Sequence, residues 1–110
     1  MLKQFALPWK DGVAAYLCQD YAAALAMWRP LAEQGVARAQ HLLGHMYANG
    51  ESVPQDYVLA HMWFNLAAAQ GDADAGRPAA ARAAVAEKMT PDQIAEAQRL
   101  AREWKPTPAQ

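Results

Sequence analysis

The sequence has little of what would commit it to export, membrane insertion or nucleic-acid binding. It contains one cysteine, Cys18, so no intrachain disulfide can form and no oxidising compartment is required. Ten basic and eleven acidic residues give a net charge of -1, without the basic surplus typical of nucleic-acid partners. No stretch reaches the roughly 18 apolar residues of a membrane span, and the N-terminus has no apolar run of signal-peptide length. We therefore expect a soluble, cytoplasmic protein without a nucleic-acid or membrane partner.

The chain is instead rich in alanine and long enough for one domain. Its 110 residues are 54% apolar, and much of that fraction is alanine. Alanine favours helices and their close approach more than it favours bulk burial. A chain of this length can bury one modest core but not two. The composition therefore predicts a single helical domain.

An internal repeat organises the chain. Shifting the sequence by 36 residues aligns Gln19-Asp20-Tyr21 with Gln55-Asp56-Tyr57 and places Trp28 on Phe64. The aligned segments, 19–39 and 55–75, share nine identities. A fixed period in this range is typical of repeat arrays.

Six helices are predicted from apolar spacing and from end signals. The signals are N-cap residues at Asp20, Asp56 and Thr90, and closing glycines at Gly35 and Gly71. The predicted helices cover about 9–18, 21–34, 37–48, 57–70, a fifth that starts between 73 and 78 and ends near 88, and a sixth from 91 to about 104. They pair as hairpins at about 9–35, 37–71 and 73–104, after a lead-in at 1–8 and before a flexible, solvated tail at 105–110.

Two positions carry packing predictions. Gly44 lies inside a predicted helix, where glycine costs about 1 kcal/mol relative to alanine. We expect a neighbouring helix to pack directly on its backbone. Trp63 is offset by one residue from the position shared by Trp28 and Phe64, and we expect it to reach the surface while the other repeated aromatic residues form the core.

The segment 39–75 resembles the Sel-one-like repeat family, a tetratricopeptide-related group. The matching residues are Ala39, Leu43-Gly44, Met46-Tyr47, Gly50, Val53, Gln55-Asp56-Tyr57, Ala60, Trp63, Ala67-Ala68, Gln70-Gly71 and Ala75. The resemblance implies an all-α solenoid of three antiparallel helical hairpins, wound as a tetratricopeptide-like right-handed superhelix. The sequence departs from the family pattern at Ser52, where a glycine is usual. It also departs in the third hairpin, which lacks the Leu-Gly-x-Met-Tyr signature.

The function implied by the resemblance is that of an adaptor or scaffold without catalysis or cofactor. Such arrays hold a partner peptide or protein on a concave face lined by the first helix of each hairpin. Helix phase places five residues of this chain on that face, and they are the predicted site: Lys10, Arg38, His41, His45 and Arg77. The three cations are either ordinary solvated charges or recognition groups for an acidic or C-terminal carboxylate peptide.

Three other interpretations use the same residues. His41 and His45 lie one turn apart, a spacing that can bind a transition metal, although no ligand cluster accompanies them. Cys18 has no histidine base nearby in the sequence, which favours a structural role over a nucleophilic one. A structural role through self-association is favoured if an exposed Trp63 or the tapered ends of the array pair with another copy, and the protein is expected to be a monomer or a weak homo-oligomer.

Overall fold

The protein is all-α, as predicted. A computed structural model describes residues 9–71 and 76–107, and within these ranges every regular element is a helix. The six helices are α1 (Lys10–Leu17), α2 (Tyr21–Glu33), α3 (Ala37–Asn49), α4 (Tyr57–Ala69), α5 (Gly76–Ala86) and α6 (Pro91–Glu103). Each agrees with its predicted position to within a few residues. The lead-in at 1–8 and the end of the tail, 108–110, lie outside the described residues.

The predicted end signals act where the sequence places them. The Asp20 carboxylate accepts from the Ala23 amide at 3.2 Å, and the Asp56 carboxylate caps α4 in the same way. Thr90 and Gln93 form a reciprocal capping box at the start of α6. Gly35 and Gly71 follow α2 and α4 with φ values of 101° and 69°, in the left-handed region that glycine adopts without strain. These ends therefore follow from local chemistry alone.

Helix α4 is the centre of the domain. It packs against α3, α5 and α6, while α2 packs against both α1 and α3. Six of its thirteen residues are buried: Ala60, His61, Met62, Trp63, Phe64 and Ala67. The third pair of helices differs from the first two, since α5 and α6 both pack on α4. The family-like segment therefore supplies the surface on which the rest of the chain assembles.

Two glycines let aromatic side chains approach a helix backbone. A Cβ built at Gly44 would lie 2.6 Å and 2.7 Å from the Cε1 and Cδ1 atoms of Phe64, far inside van der Waals contact. Gly12 on α1 stands in the same relation to Trp28, whose indole Nε1 also donates to the Trp9 carbonyl oxygen at 2.8 Å. The close approach expected at Gly44 is confirmed, and the neighbour is the ring of Phe64.

The connection between α3 and α4 uses left-handed backbone twice. Gly50 ends α3 with φ 70°, and Ser52 follows with φ 63°. A residue with a Cβ is strained in this region, whereas glycine is not. This geometry gives a physical reason for the glycine that the resembled family usually has at the position of Ser52.

The expectation that Trp63 reaches the surface is wrong. Trp63 is buried, with 6% of its surface exposed, because α6 returns to α4 and sets the Trp104 ring edge-on against it at 6.2 Å between centroids. The described part of the tail, residues 105–107, is exposed, and it also contacts the domain. The Thr107 amide donates to the Glu33 carbonyl oxygen at 2.6 Å, and the side chains of Trp104 and Pro106 lie beside Gly35.

Side-chain amides, buried at Gln40 and exposed at Gln70, join the first repeat to the second. Gln40, with no exposed surface, donates to the Ala32 carbonyl oxygen at 3.1 Å. Gln70 donates to the Gly35 carbonyl oxygen at 2.7 Å and to Gln40 Oε1 at 3.3 Å. These bonds add side-chain donors to carbonyl groups at and beyond the C-terminal end of α2, where the helix has no further amides to offer. The Ala32 oxygen also accepts from the Gly35 amide at 3.0 Å. The Gln-Gly pair that recurs at Gln34-Gly35 and Gln70-Gly71 thus contributes to the contact between repeats.

Candidate functional site

Three cations occupy the first turns of alternate helices. Lys10 is the first residue of α1, Arg38 the second of α3 and Arg77 the second of α5. We call these three residues the basic edge. The Arg38 guanidinium lies 4.9 Å from the centroid of the Trp9 ring, and the Lys10 ammonium lies 5.6 Å from the same centroid. Trp9 therefore brings two of these cations together through cation–π contacts.

The helix ends at the basic edge add to its positive potential. Neither Trp9 nor Val36 accepts a capping hydrogen bond with its side chain at the start of α1 or α3. The starts of α2, α4 and α6, in contrast, are capped by side chains. Amide groups at the start of a helix carry partial positive charge and favour anions. The N-terminal ends of α1 and α3 thus differ in chemistry from those of α2, α4 and α6.

His41 and His45 lie next to the basic edge and contact each other. Their Nε2 atoms are 3.0 Å apart, so one ring donates its N–H to the lone pair of the other. Both rings also meet the Phe64 ring edge-on, at 5.7 Å and 5.0 Å between centroids. The pair is therefore half-buried against α4, and not simply a lining of an open groove.

Both histidines are neutral at pH 7. Burial, with positive charge from His45, Arg38 and Arg77, lowers the pKa of His41 to about 4. Burial also lowers the pKa of His45, although Glu51 opposes that change. The guanidinium groups of Arg38 on α3 and Arg77 on α5 both oppose protonation of His41.

The environment of the histidine pair favours an anion over a metal ion. The two facing nitrogens could bind a cation only by giving up their mutual hydrogen bond, beside two guanidinium groups. Among residues 9–71 and 76–107, no group of three or more His, Cys, Asp or Glu side chains could hold a metal ion. Cys18 is exposed in the turn after α1.

A cavity of about 200 Å³ opens farther along α3, between α3, α4 and α5. We call it the α3–α5 cavity. Its apolar walls come from Ala48, Phe64, Ala81, Ala84 and Val85. Its polar groups come from His45, Asn49, Tyr57 and Lys88. Phe64 therefore contacts the histidine pair and also lines the cavity.

The structure brings the sequence-predicted residues into one neighbourhood, with additions. Lys10 and Arg38 meet at Trp9, while Arg77 acts on His41, which contacts His45. Sequence reasoning missed Trp9, Asn49 and Lys88 as site residues. In the sequence, Trp9 marks only the start of the first predicted helix, and Lys88 only the end of the fifth. One signal for Trp9 is present in the sequence. Trp9 directly precedes Lys10, and Arg38 lies in the first turn of α3, which is the first helix of the next pair.

Comparison with known proteins identifies the central segment. Residues 37–72 match the family model described as Sel1 repeat, and a comparison with curated proteins gives no match. Repeats of this kind generally mediate protein–protein interactions and are typically not catalytic. No helix among the described residues is long and apolar enough to cross a membrane.

Proposed function

We propose that this Sel1-repeat protein is a non-catalytic interaction module that binds an acidic segment of another protein across the starts of α1, α3 and α5. The observation that carries this proposal is the basic edge. Lys10, Arg38 and Arg77 sit in corresponding first turns, and two of these turns have no side-chain cap. A row of cations beside amide-bearing helix ends is complementary to carboxylates.

The surroundings of the basic edge support binding over chemistry. The Trp9 ring holds Lys10 and Arg38 in place, which lowers the entropy lost when they contact a partner. His41 and His45 are neutral and bonded to each other, so each ring has less capacity to accept a proton from a substrate. The face thus offers fixed positive charge and little acid–base reactivity.

The test is charge inversion at the basic edge. We expect the double variant Arg38→Glu with Arg77→Glu to lose capture of its partner from a lysate of the native host, measured by pull-down and mass spectrometry. Each exposed ion pair contributes about 0.2–1 kcal/mol, and like charges add repulsion. Together these changes predict a roughly 10- to 100-fold weaker affinity, because each 1.4 kcal/mol is about tenfold. Association should also become less sensitive to salt.

A matched control inverts two cations elsewhere. Arg102 and Lys105 are exposed at the end of α6, and Arg102→Glu with Lys105→Glu gives the same change in net charge. This control should retain capture, and both double variants should keep the circular-dichroism spectrum of the parent and stay folded at the assay temperature. An unchanged set of captured proteins with the Arg38 and Arg77 variant would contradict the proposal.

Self-association is the second candidate. The expected exposure of Trp63 does not support it, because Trp63 is buried. Two other apolar side chains on the first hairpin support self-association, because Leu17 is 75% exposed and Met27 is 43% exposed. Sedimentation velocity across a concentration series separates the candidates, since self-association through this surface would raise the mean mass and Leu17→Ser would reverse it.

A further inference from the structure

We propose that the α3–α5 cavity receives one large apolar side chain of the bound segment, and that Lys88 pairs with a carboxylate next to that side chain. The inference rests on the proposed function for the existence of a partner segment, and it adds the chemistry that the segment must carry. The occupant is thus an acidic peptide with a phenylalanine-like or leucine-like residue.

The size and walls of the cavity fit a single side chain. Its volume of about 200 Å³ is below the roughly 300–1,000 Å³ of sites for drug-sized ligands. It exceeds the roughly 150 Å³ of an apolar cavity that binds benzene. The walls combine the Phe64 ring with small side chains from α3 and α5, Ala48, Ala81, Ala84 and Val85. A phenyl or isobutyl group would therefore find apolar contact on several sides.

The polar rim supplies the charge preference. Lys88 is the charged residue of the lining, and its ammonium lies 5.7 Å from the centroid of the Tyr57 ring. That contact holds the cation at the mouth, just beyond the end of α5. The histidine of the rim adds no positive charge at pH 7, because burial lowers the pKa of His45. A carboxylate at the mouth would meet one fixed positive charge.

The position of the cavity sets the register of the segment. Arg77 is in the first turn of α5 and Lys88 lies two residues beyond its last residue, so the eleven residue steps between them correspond to about 16 Å at 1.5 Å per helical residue. An extended peptide covers about 3.3–3.6 Å per residue, so four or five residues span that distance. The bound segment would therefore carry acidic residues against Arg38 and Arg77 and its apolar residue about five positions away.

The probe for this inference is 3-phenylpropionate, which joins a phenyl ring to a carboxylate. We expect it to shift amide signals of Ala81, Ala84 and Val85 in ¹⁵N NMR spectra of the full chain, with a dissociation constant on the order of 1–10 mM for so few atoms. 3-Phenylpropylammonium, with the same ring and the opposite charge, should bind at least about fivefold more weakly. Lys88→Glu should reverse that preference.

Filling the cavity gives the second arm. Ala84 lies in the lining of the cavity and is exposed, so the ring of Ala84→Phe can occupy the cavity without disturbing the core. This variant should abolish the phenylpropionate shifts and keep the melting temperature of the parent. Ala83→Phe, at the exposed neighbouring position outside the lining, should leave them unchanged. Equal binding of the two probes would overturn the role of Lys88. Shifts elsewhere on the protein, or none, would overturn the cavity as a binding site.

The two proposals fail separately. Arg38→Glu with Arg77→Glu should leave phenylpropionate binding intact, because neither residue lines the cavity. If that variant captures its partner normally while phenylpropionate still binds the cavity, the proposed basic edge is wrong and the cavity stands. If the variant loses its partner while Ala84→Phe retains it, the cavity is not where the segment docks.

Discussion

Replacing Gly44 with alanine tests how tightly the repeat is packed and whether that packing supports the binding face. The new Cβ would lie 2.6 Å and 2.7 Å from two carbons of the Phe64 ring, where about 3.5–4.0 Å is optimal. The ring would have to move by about 1 Å. It is only 1% exposed and meets the edges of His41 and His45. The substitution should therefore strain α4 and displace the histidine pair together.

The magnitude follows from two opposing effects. Overpacking a core costs about 1–3 kcal/mol, and replacing glycine by alanine within a helix returns up to about 1 kcal/mol. We expect Gly44→Ala to lower the free energy of unfolding by about 1–2 kcal/mol. For a domain of this size that corresponds to a fall in melting temperature of roughly 5–15 °C.

The assay is urea denaturation followed by circular dichroism, with two companion variants. Gly76→Ala serves as the control, because a Cβ there meets no atom within 4 Å, and it should be neutral or slightly stabilising. Adding Phe64→Leu to Gly44→Ala should restore part of the loss, which a double-mutant cycle would measure as a coupling energy. If Gly44→Ala stabilises the protein as Gly76→Ala does, the close approach of Phe64 to α3 is wrong.

Two further predictions concern acid and the α3–α4 connection. His41 has its pKa lowered from 6.5 to about 4 in the folded protein, so it adds stability above pH 6.5 that is lost as the pH falls towards 4. After discounting for partial exposure, this loss is about 1–2 kcal/mol between pH 7.5 and 5. His41→Gln should flatten urea-denaturation midpoints measured across that range, and an unchanged slope would contradict the assignment. Ser52→Gly should raise the free energy of unfolding by about 0.5–1 kcal/mol, because glycine adopts the left-handed backbone without strain. Gly50→Ala should lower the free energy of unfolding in the same assay. Equal melting temperatures for the parent and Ser52→Gly would count against strain at this residue.

Local chemistry explains why so much of the fold could be predicted from the sequence. Asp20, Asp56 and Thr90 each bond to an amide three residues away. Because each cap bonds to an amide a fixed number of residues away, the cap can be predicted from the sequence alone. The same holds for His41 and His45, whose spacing of four residues places them on one helical face.

Long-range contacts explain what could not be predicted. The burial of Trp63 depends on where α6 returns, and nothing near Trp63 in the chain encodes the position of Trp104. The α3–α5 cavity likewise depends on how α3 and α5 diverge from α4, which brings Asn49 and Lys88 to one mouth. Neither residue carries a local pattern that marks it as part of a site.

The bond from Thr107 to Glu33 changes how the domain should come apart. In a linear solenoid each repeat contacts only its neighbours, so an end can fray while the remainder stays folded. Here the residues after α6 reach the end of α2, and Trp104 contacts both Trp63 and the surroundings of Gly35. The last helix cannot detach without uncovering the central helix and breaking the contact with the first hairpin. We therefore expect its detachment to be coupled to loss of the core, so that the domain unfolds in a single cooperative transition and not by fraying from the end.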